Sequence, residues 1–404
     1  MTLLVAGAGP AGSRLAERVA QQGIPVVLVD PLKAAEQNIF SSAAVPIEAL
    51  TDLNIPDEAV SSYWHGWQLV DPQGRSHQWF AARDLGVVLD FGALRKQLWL
   101  KAQQAGVELL LGWRVKSVFS RQDGADVELQ GPGGLRQTRS FEWVVDATGH
   151  HRSLIGAPER RNNSSAEELL EGFGMEWILQ ADKNSMAVWS QRLTFFLGCH
   201  WMPHGYGWIF PMANQQLKVG VCRLSPKSKP GLASLSSFLK RLISENQLDT
   251  LPILDRHGGV LSSTIGRREA HSRGRIVAVG DAVSTANLLG GEGIRHALRS
   301  AELLAPFLVA LFESAHQRQC SDQKLLLEYE NLLRRRLGWR WNLSGRLAKR
   351  TWWGLCDQRA DRRLSRLIDG LSQRSSAEDL SALLFEYRFE RYGLRLLPYL
   401  MGWR

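Results

Sequence analysis

A chain of 404 residues is too long for one compact core and calls for two or three structural units. Hydrophobic residues make up 44% and charged residues 22%, a globular balance that excludes a disordered polyelectrolyte. A net charge of +9 points to an acidic partner, whether membrane surface, protein or nucleic acid, or else to an enzyme with a basic skin.

The four cysteines, Cys199, Cys222, Cys320 and Cys356, form no C-x-x-C pair and no compact disulfide pattern. A metal site is therefore not expected, and a reducing compartment fits. The chain enters a strand by residue 2 or 3 with no basic leader, so the expected location is cytoplasmic. The longest apolar run, Leu303 to Phe312, falls far short of the roughly 20 residues that span a bilayer. Any membrane contact is then expected to be peripheral.

In chain order, Leu3 to Ala6 reads as a buried strand, followed by the turn Gly7-Ala8-Gly9-Pro10-Ala11-Gly12. Leu15, Val19 and Ala20 recur at helical spacing, Gly23 stops the helix, and Val26 to Val29 is a second strand. Residues 56 to 84 carry Trp64, Trp67 and Trp79 in alternation and read as strands of a separate sheet. Leu94 to Ala105 reads as a helix and Val107 to Leu111 as a strand. Trp113 to Phe119 and Val127 to Gln130 read as hairpin strands around Gly124, and Phe141 to Val145 as one buried strand ending in Asp146-Ala147-Thr148-Gly149. Gly131 to Gly134 lies between hairpin strands and reads as a turn, not a phosphate loop. From about 166 to 264 mostly short strands are expected. Ile276 to Val279 returns to a buried strand, Glu292 to Phe312 is helical, and beyond Ser321 the chain is helical, basic and rich in Trp.

The fold class expected is mixed α/β. A Rossmann-like dinucleotide-binding domain would occupy 1–55, 85–165 and 265–320. An antiparallel β-rich substrate domain is inserted over 56–84 and 166–264, and a basic helical segment covers 321–404.

Two motifs carry the cofactor reading. In Gly7-x-Gly9-x-x-Gly12 the first glycine makes the turn, the second admits a pyrophosphate and the third lets helix meet strand. Asp30 ends the second strand at the distance where a carboxylate takes ribose hydroxyls. This fingerprint does not separate FAD from NAD. The second stretch does: Gly280-Asp281 after a strand, then Leu289-Gly290-Gly291-Glu292-Gly293-Ile294 opening a helix. Asp281 is placed to hold a ribityl hydroxyl, and a positive helix end beside the ring favours reduced flavin.

These stretches, with Asp146 to Gly149 and Tyr206-Gly207-Trp208-Ile209-Phe210-Pro211, resemble the geranylgeranyl reductase family of FAD-dependent oxidoreductases, within the aromatic-hydroxylase-like flavoproteins. The resemblance covers about residues 1 to 310. It implies that Gly7, Gly9, Pro10, Ala11, Gly12 and Asp30 bind the ADP half of FAD and that Val115 contacts adenine. It also implies that Gly149 passes near the cofactor, that Asp281 holds the ribityl or pyrophosphate part, and that Gly290, Gly291, Gly293 and Ile294 lie at the flavin ring. Tyr206, Trp208 and Phe210 would shape the substrate pocket. The chain departs from the family at three points. Asn38 to Pro46 contains no Cys, Phe91 stands where an Arg is usual, with Arg95 one turn later as its expected substitute, and Leu288 replaces a Pro.

The leading expectation is hydride transfer from reduced flavin to a carbon–carbon double bond of a hydrophobic, isoprenoid-type substrate. A monooxygenase, a redox-neutral lycopene-cyclase-like enzyme and a non-catalytic flavin-bearing assembly protein are the alternatives. No second dinucleotide fingerprint appears, so NADPH would bind transiently, or an acidic redox protein would supply electrons. His150-His151 reads as an exposed turn or a proton source. In the C-terminal segment Arg334 to Arg366 interleave with Trp339, Trp341, Trp352 and Trp353, which suits a lipid headgroup region better than nucleic acid.

Overall fold

Four consecutive apolar residues can hide only in a strand covered on both faces, and Leu3–Ala6 (β1) is such a strand, fully buried. The computed structural model describes residues 2–159, 167–224, 233–313 and 320–390; the part of the basic segment beyond 390 lies outside them. After β1 come α1 (Pro10–Ala20), β2 (Val26–Asp30), β3 (Ala44–Pro46), α2 (Glu48–Asp52), β4 (Val60–Trp64), β5 (Gly66–Val70), β6 (Ser76–Phe80) and β7 (Gly86–Leu89). Next are α3 (Phe91–Gln104), β8 (Glu108–Leu111), β9 (Arg114–Ser120), β10 (Ala125–Gln130), β11 (Arg136–Phe141) and β12 (Trp143–Asp146). Then follow β13 (Leu169–Gln180), α4 (Lys183–Trp189), β14 (Arg192–Leu197), β15 (Gly205–Met212), β16 (Gln216–Leu224), α5 (Leu235–Glu245) and β17 (Ile253–Thr264). The chain closes with β18 (Ser272–Arg273), β19 (Ile276–Ala278), α6 (Ile294–Glu313), α7 (Cys320–Gly354), α8 (Gln358–Ser372) and α9 (Ala377–Phe385).

The first sheet runs β18-β19-β12-β1-β2-β8, parallel except at β18. Helix α1 packs between this sheet, α3 and α6, as a βαβ unit requires. A small antiparallel sheet, β11-β10-β9, sits beside it, and a second, β3-β7-β4, lies toward the larger sheet. That larger sheet, β17-β13-β16-β15-β14-β5-β6, is antiparallel apart from the β14–β5 pair. The mixed α/β class expected from the sequence is the one observed.

Alternation divides the large sheet into two faces. Ile209, Leu217, Val219 and Val221 pack under α5 with Phe238 and Leu242. Tyr206, Trp208 and Phe210 point the other way, toward Trp352, Leu364, Ile368 and Leu380 of the C-terminal helices. Gly338 bends α7 by adopting φ 69° and ψ −171°. Before the bend, Leu326, Tyr329 and Leu333 join the core of the parallel sheet; after it, Ala348 and Trp352 join the large sheet.

Several sequence expectations change. The stretch 166–264 is not mostly short strands: β13 and β17 each have 12 residues, and helices α4 and α5 interrupt the series. Phe141 closes β11 opposite Ala125, while Trp143 opens β12, so the run Phe141 to Val145 is split between two sheets. Residues 56–84 do not form one separate sheet either: β4 pairs with β7, whereas β5 and β6 complete the large sheet.

Candidate functional site

The fingerprint turn leaves no slack. Gly7 has φ +107°, and a Cβ there would stand 2.3 Å from the Ala147 carbonyl oxygen. At Gly12 a Cβ would stand 1.9 Å from the Gly7 oxygen, so α1 can approach β1 only through glycine. Gly9 has nothing within 4 Å of its Cβ position and presents bare backbone, with Pro10 opening α1 behind it. Asp30 accepts from the Ala8 N–H at 2.6 Å and the Leu32 N–H at 2.9 Å, so part of its acceptor capacity already braces the turn. Burial raises its pKa against those hydrogen bonds.

Arg95 does not stand free. Its guanidinium donates to the carbonyls of Ala35, Gln37 and Asn38 and lies 4.8 Å from the Phe91 ring centroid, organising the loop after β2. Val115 is half-buried on β9 against the parallel-sheet core. Gly149 has φ +66° and open space around it. Asp146 accepts from Thr148, Leu154 and Ile155 and so shapes that turn. His150 is pushed down to about 4 by burial and by His151, which leaves it neutral at pH 7 and unsuited to donating a proton there.

The second motif meets the first across Gly280, whose Cβ would stand 2.8 Å from the Ala11 methyl. Asp281 accepts from the Thr285 hydroxyl at 3.0 Å, and its burial raises its pKa. Pro10, Asp281, Gly291, Gly293, Ile294 and Phe40 line a cavity of about 220 Å³, bounded on the far side by Tyr206, Trp208, Cys222 and Trp352. A second cavity, about 210 Å³, lies beyond Tyr206 and Trp208 and is almost wholly apolar. Its walls include Trp67, Phe195 and Phe210; its end is the turn from Leu289 to Ile294, Gly290 included, and its roof is α8 and α9. The Tyr206 hydroxyl marks the junction, 3.0 Å from where a Gly291 Cβ would be.

Thus Pro10, Asp281, Gly291, Gly293, Ile294, Tyr206 and Trp208 share one cavity, with Gly290 and Phe210 on the adjoining one. Gly7, Gly9, Ala11, Gly12 and Asp30 form the turn beside them, while Arg95, Val115 and Gly149 border neither cavity.

Three groups escaped the sequence reading. Glu176, unexposed, accepts from the Trp208 indole N–H at 2.9 Å and bonds His257 at 2.9 Å. Glu292, 8% exposed, accepts from Arg295 at 2.6 and 2.9 Å and from the Tyr387 hydroxyl at 3.0 Å. Burial opposes its ionisation, but Arg295 and His296 outweigh this and hold its pKa at about 2. The third is the cavity roof, which the spacing of Leu364, Leu367, Ile368 and Leu371 could have announced. Among the described residues, Asp71, His77 and Asp369 also gather within 4.8 Å, but Arg75 already pairs with both carboxylates.

Comparison with known proteins agrees with the resemblance read from the motifs. The chain is 26% identical over 340 residues to the digeranylgeranylglycerophospholipid reductase of Methanosphaerula palustris, covering 80% of this chain and 79% of that one. It is 28% identical over 305 residues to digeranylgeranylglycerophospholipid reductase 2 of Methanopyrus kandleri, covering 73% and 74%. A geranylgeranyl bacteriochlorophyll reductase-like protein from Thermoplasma acidophilum shares the fold with a TM-score of 0.79 at 19% identity, over 99% of this chain and 98% of that one. The p-nitrophenol 4-monooxygenase of Pseudomonas putida follows at 0.70 and 16%, over 96% of each. The lycopene cyclase protein family model matches residues 2–331, and the chain belongs to that family.

Proposed function

We propose that this chain is an FAD-dependent oxidoreductase that reduces carbon–carbon double bonds of an isoprenoid lipid. One observation carries the reading: an almost wholly apolar cavity and a glycine-lined cavity that holds Asp281 share the wall Tyr206–Trp208 and the turn Gly291–Ile294. The glycines fit a dinucleotide cofactor, since Gly9 is open to a ligand while Gly7 and Gly12 admit no side chain. Bound FAD would supply the hydride, and a proton completes the saturation of each double bond.

The residues divide the remaining work. Gly9 and the start of α1 would receive the pyrophosphate, and Asp281 the ribityl part. The N-terminus of α6 favours negative charge at the ring. Phe195, Phe210 and the leucines of α8 and α9 exclude water and hold an apolar chain. Electrons come from NADPH or from an acidic redox protein, and the substrate is taken from a lipid phase by peripheral contact. No helix among the described residues is long and apolar enough to cross a membrane.

A redox-neutral cyclisation is the second reading, favoured by the family match over residues 2–331. Purified protein loaded with FAD and reduced anaerobically, with NADPH or dithionite, is mixed with digeranylgeranylglycerophospholipid. Reoxidation of the flavin with a gain of two hydrogens per double bond supports the reductase. An unchanged product mass with lycopene as substrate supports cyclisation. Failure to bind FAD overturns both.

A further inference from the structure

The helix that roofs the apolar cavity has two unlike faces. At about 100° per residue, Leu364, Leu367, Ile368 and Leu371 cluster on one side of α8, where they line the cavity. Arg359, Arg362 and Arg366 fall within an arc of about 60° on the opposite side, and all three are exposed. Exposed Gly370 and Gln373 continue that side, and Asp369 flanks it.

A solvated helix face usually interleaves acids with its arginines at one-turn spacing. Here the acids of the helix are used elsewhere. Asp357 caps it by accepting from the Ala360 N–H at 2.8 Å. Asp361 accepts from the Cys199 N–H at 2.9 Å. Asp369 pairs with Arg75 at 3.2 Å and faces His77 at 3.8 Å. Among the described residues no acid pairs with Arg359, Arg362 or Arg366, whereas some arginines elsewhere on the surface, Arg121 and Arg139 among them, are paired. The stripe is therefore an uncompensated line of positive charge on the outer side of the cavity roof.

We propose that α8 docks the protein on an anionic lipid surface, with Arg359, Arg362 and Arg366 against the phosphates. The choice of a lipid over an acidic protein rests on the isoprenoid-lipid reading of the cavity. One helix then does two things: its outer face meets the headgroups, and its inner face covers the space where the apolar chain would lie. The arginine is suited to this, since its planar fork pairs with phosphate oxygens in two places at once. Each basic side chain near an anionic leaflet contributes roughly a fivefold gain in partition, and three together about a hundredfold.

The test is co-sedimentation of the full-length, FAD-loaded protein with vesicles. Wild type should bind equimolar phosphatidylcholine–phosphatidylglycerol vesicles, release at high salt, and ignore pure phosphatidylcholine. The triple variant Arg359→Gln/Arg362→Gln/Arg366→Gln should bind about a hundredfold more weakly. A control, Arg83→Gln/Arg121→Gln/Arg136→Gln, removes the same charge from exposed sites elsewhere and should bind like wild type. All six side chains are exposed, so neither variant threatens the fold. Equal binding by the α8 variant and wild type overturns the proposal, as does an equal loss in the control. Wild type that ignores anionic vesicles but binds an acidic ferredoxin through the same three arginines also overturns it. Vesicle binding without double-bond reduction leaves the docking role standing and counts against the catalytic reading alone.

Discussion

Gly220 has no side chain because Trp208 needs the space: a Cβ there would stand 2.2 Å from the indole Cζ2. The gap lets the indole reach across the β16 strand to Glu176. Register puts His257, Glu176, Gly220 and Trp208 in one row over β17, β13, β16 and β15. Glu176→Leu leaves the indole N–H without its acceptor and the His257 Nε2 without its partner, with Asp255 still at Nδ1. A loss of about 1–3 kcal/mol is expected in urea unfolding, with Glu176→Gln retaining part of it. The pH dependence follows from His257. Burial alone would lower its pKa, but Glu176 and then Asp255 outweigh burial and leave it raised. The stability from the His257–Glu176 pair is therefore full below the ordinary histidine value of 6.5 and fades as pH rises through the raised one. The gap between wild type and Glu176→Gln should shrink toward alkaline pH; a gap that widens there would contradict the assignment. Gly7, Gly12 and Asp281 were legible in the sequence because their demands are local, a turn and a strand end. Glu176 and His257 were not, because only sheet register brings positions 176, 208 and 257 together.

At the scale of elements, glycine misled and informed. The stretch 166–264 was expected to hold mostly short strands, yet Gly174 and Gly259 lie inside long ones. They are bare because the Phe40 ring rests on them: added Cβ atoms would stand 2.5 and 2.2 Å from its carbons. A strand interior that receives an aromatic ring from a distant loop looks like a turn when only neighbours in sequence are considered. That the C-terminus is helical was legible in the sequence, but the bend at Gly338 was not, since one glycine inside a helical pattern is ordinarily tolerated. Its backbone occupies a region open essentially to glycine alone. Gly338→Ala is expected to cost about 1–3 kcal/mol and to loosen the second limb of α7 from the large sheet. Hydrogen exchange should rise after residue 338 more than before it. Uniform protection along α7 would show that the bend carries no strain.

Across the whole molecule, the end of the described chain is fastened to the turn where the cofactor is expected. Arg295 pairs with Glu292 and donates to the Phe385 carbonyl, while the Tyr387 hydroxyl bonds Glu292 and His296, and Trp341 packs edge-on to both rings. Tyr387→Phe removes one donor from a buried carboxylate, with an expected cost of about 1–3 kcal/mol in urea unfolding of the FAD-free protein. Flavin release should accelerate in the same variant, because the turn from Leu289 to Ile294 loses its brace. An unchanged release rate would uncouple the two.

The roof of the apolar cavity, α8 and α9, is also synthesised after the walls that it covers. Trp67, Phe195, Trp208 and Phe210 leave the ribosome well before Leu364, Ile368 and Leu380 exist to cover them. At roughly 5–20 residues per second, the nascent protein carries an unroofed aromatic trough for about ten to thirty seconds. During that interval its cohesion depends on whatever apolar surface is nearby, a chaperone or a membrane, and each such encounter precedes the first moment at which the trough can close on a ligand of its own.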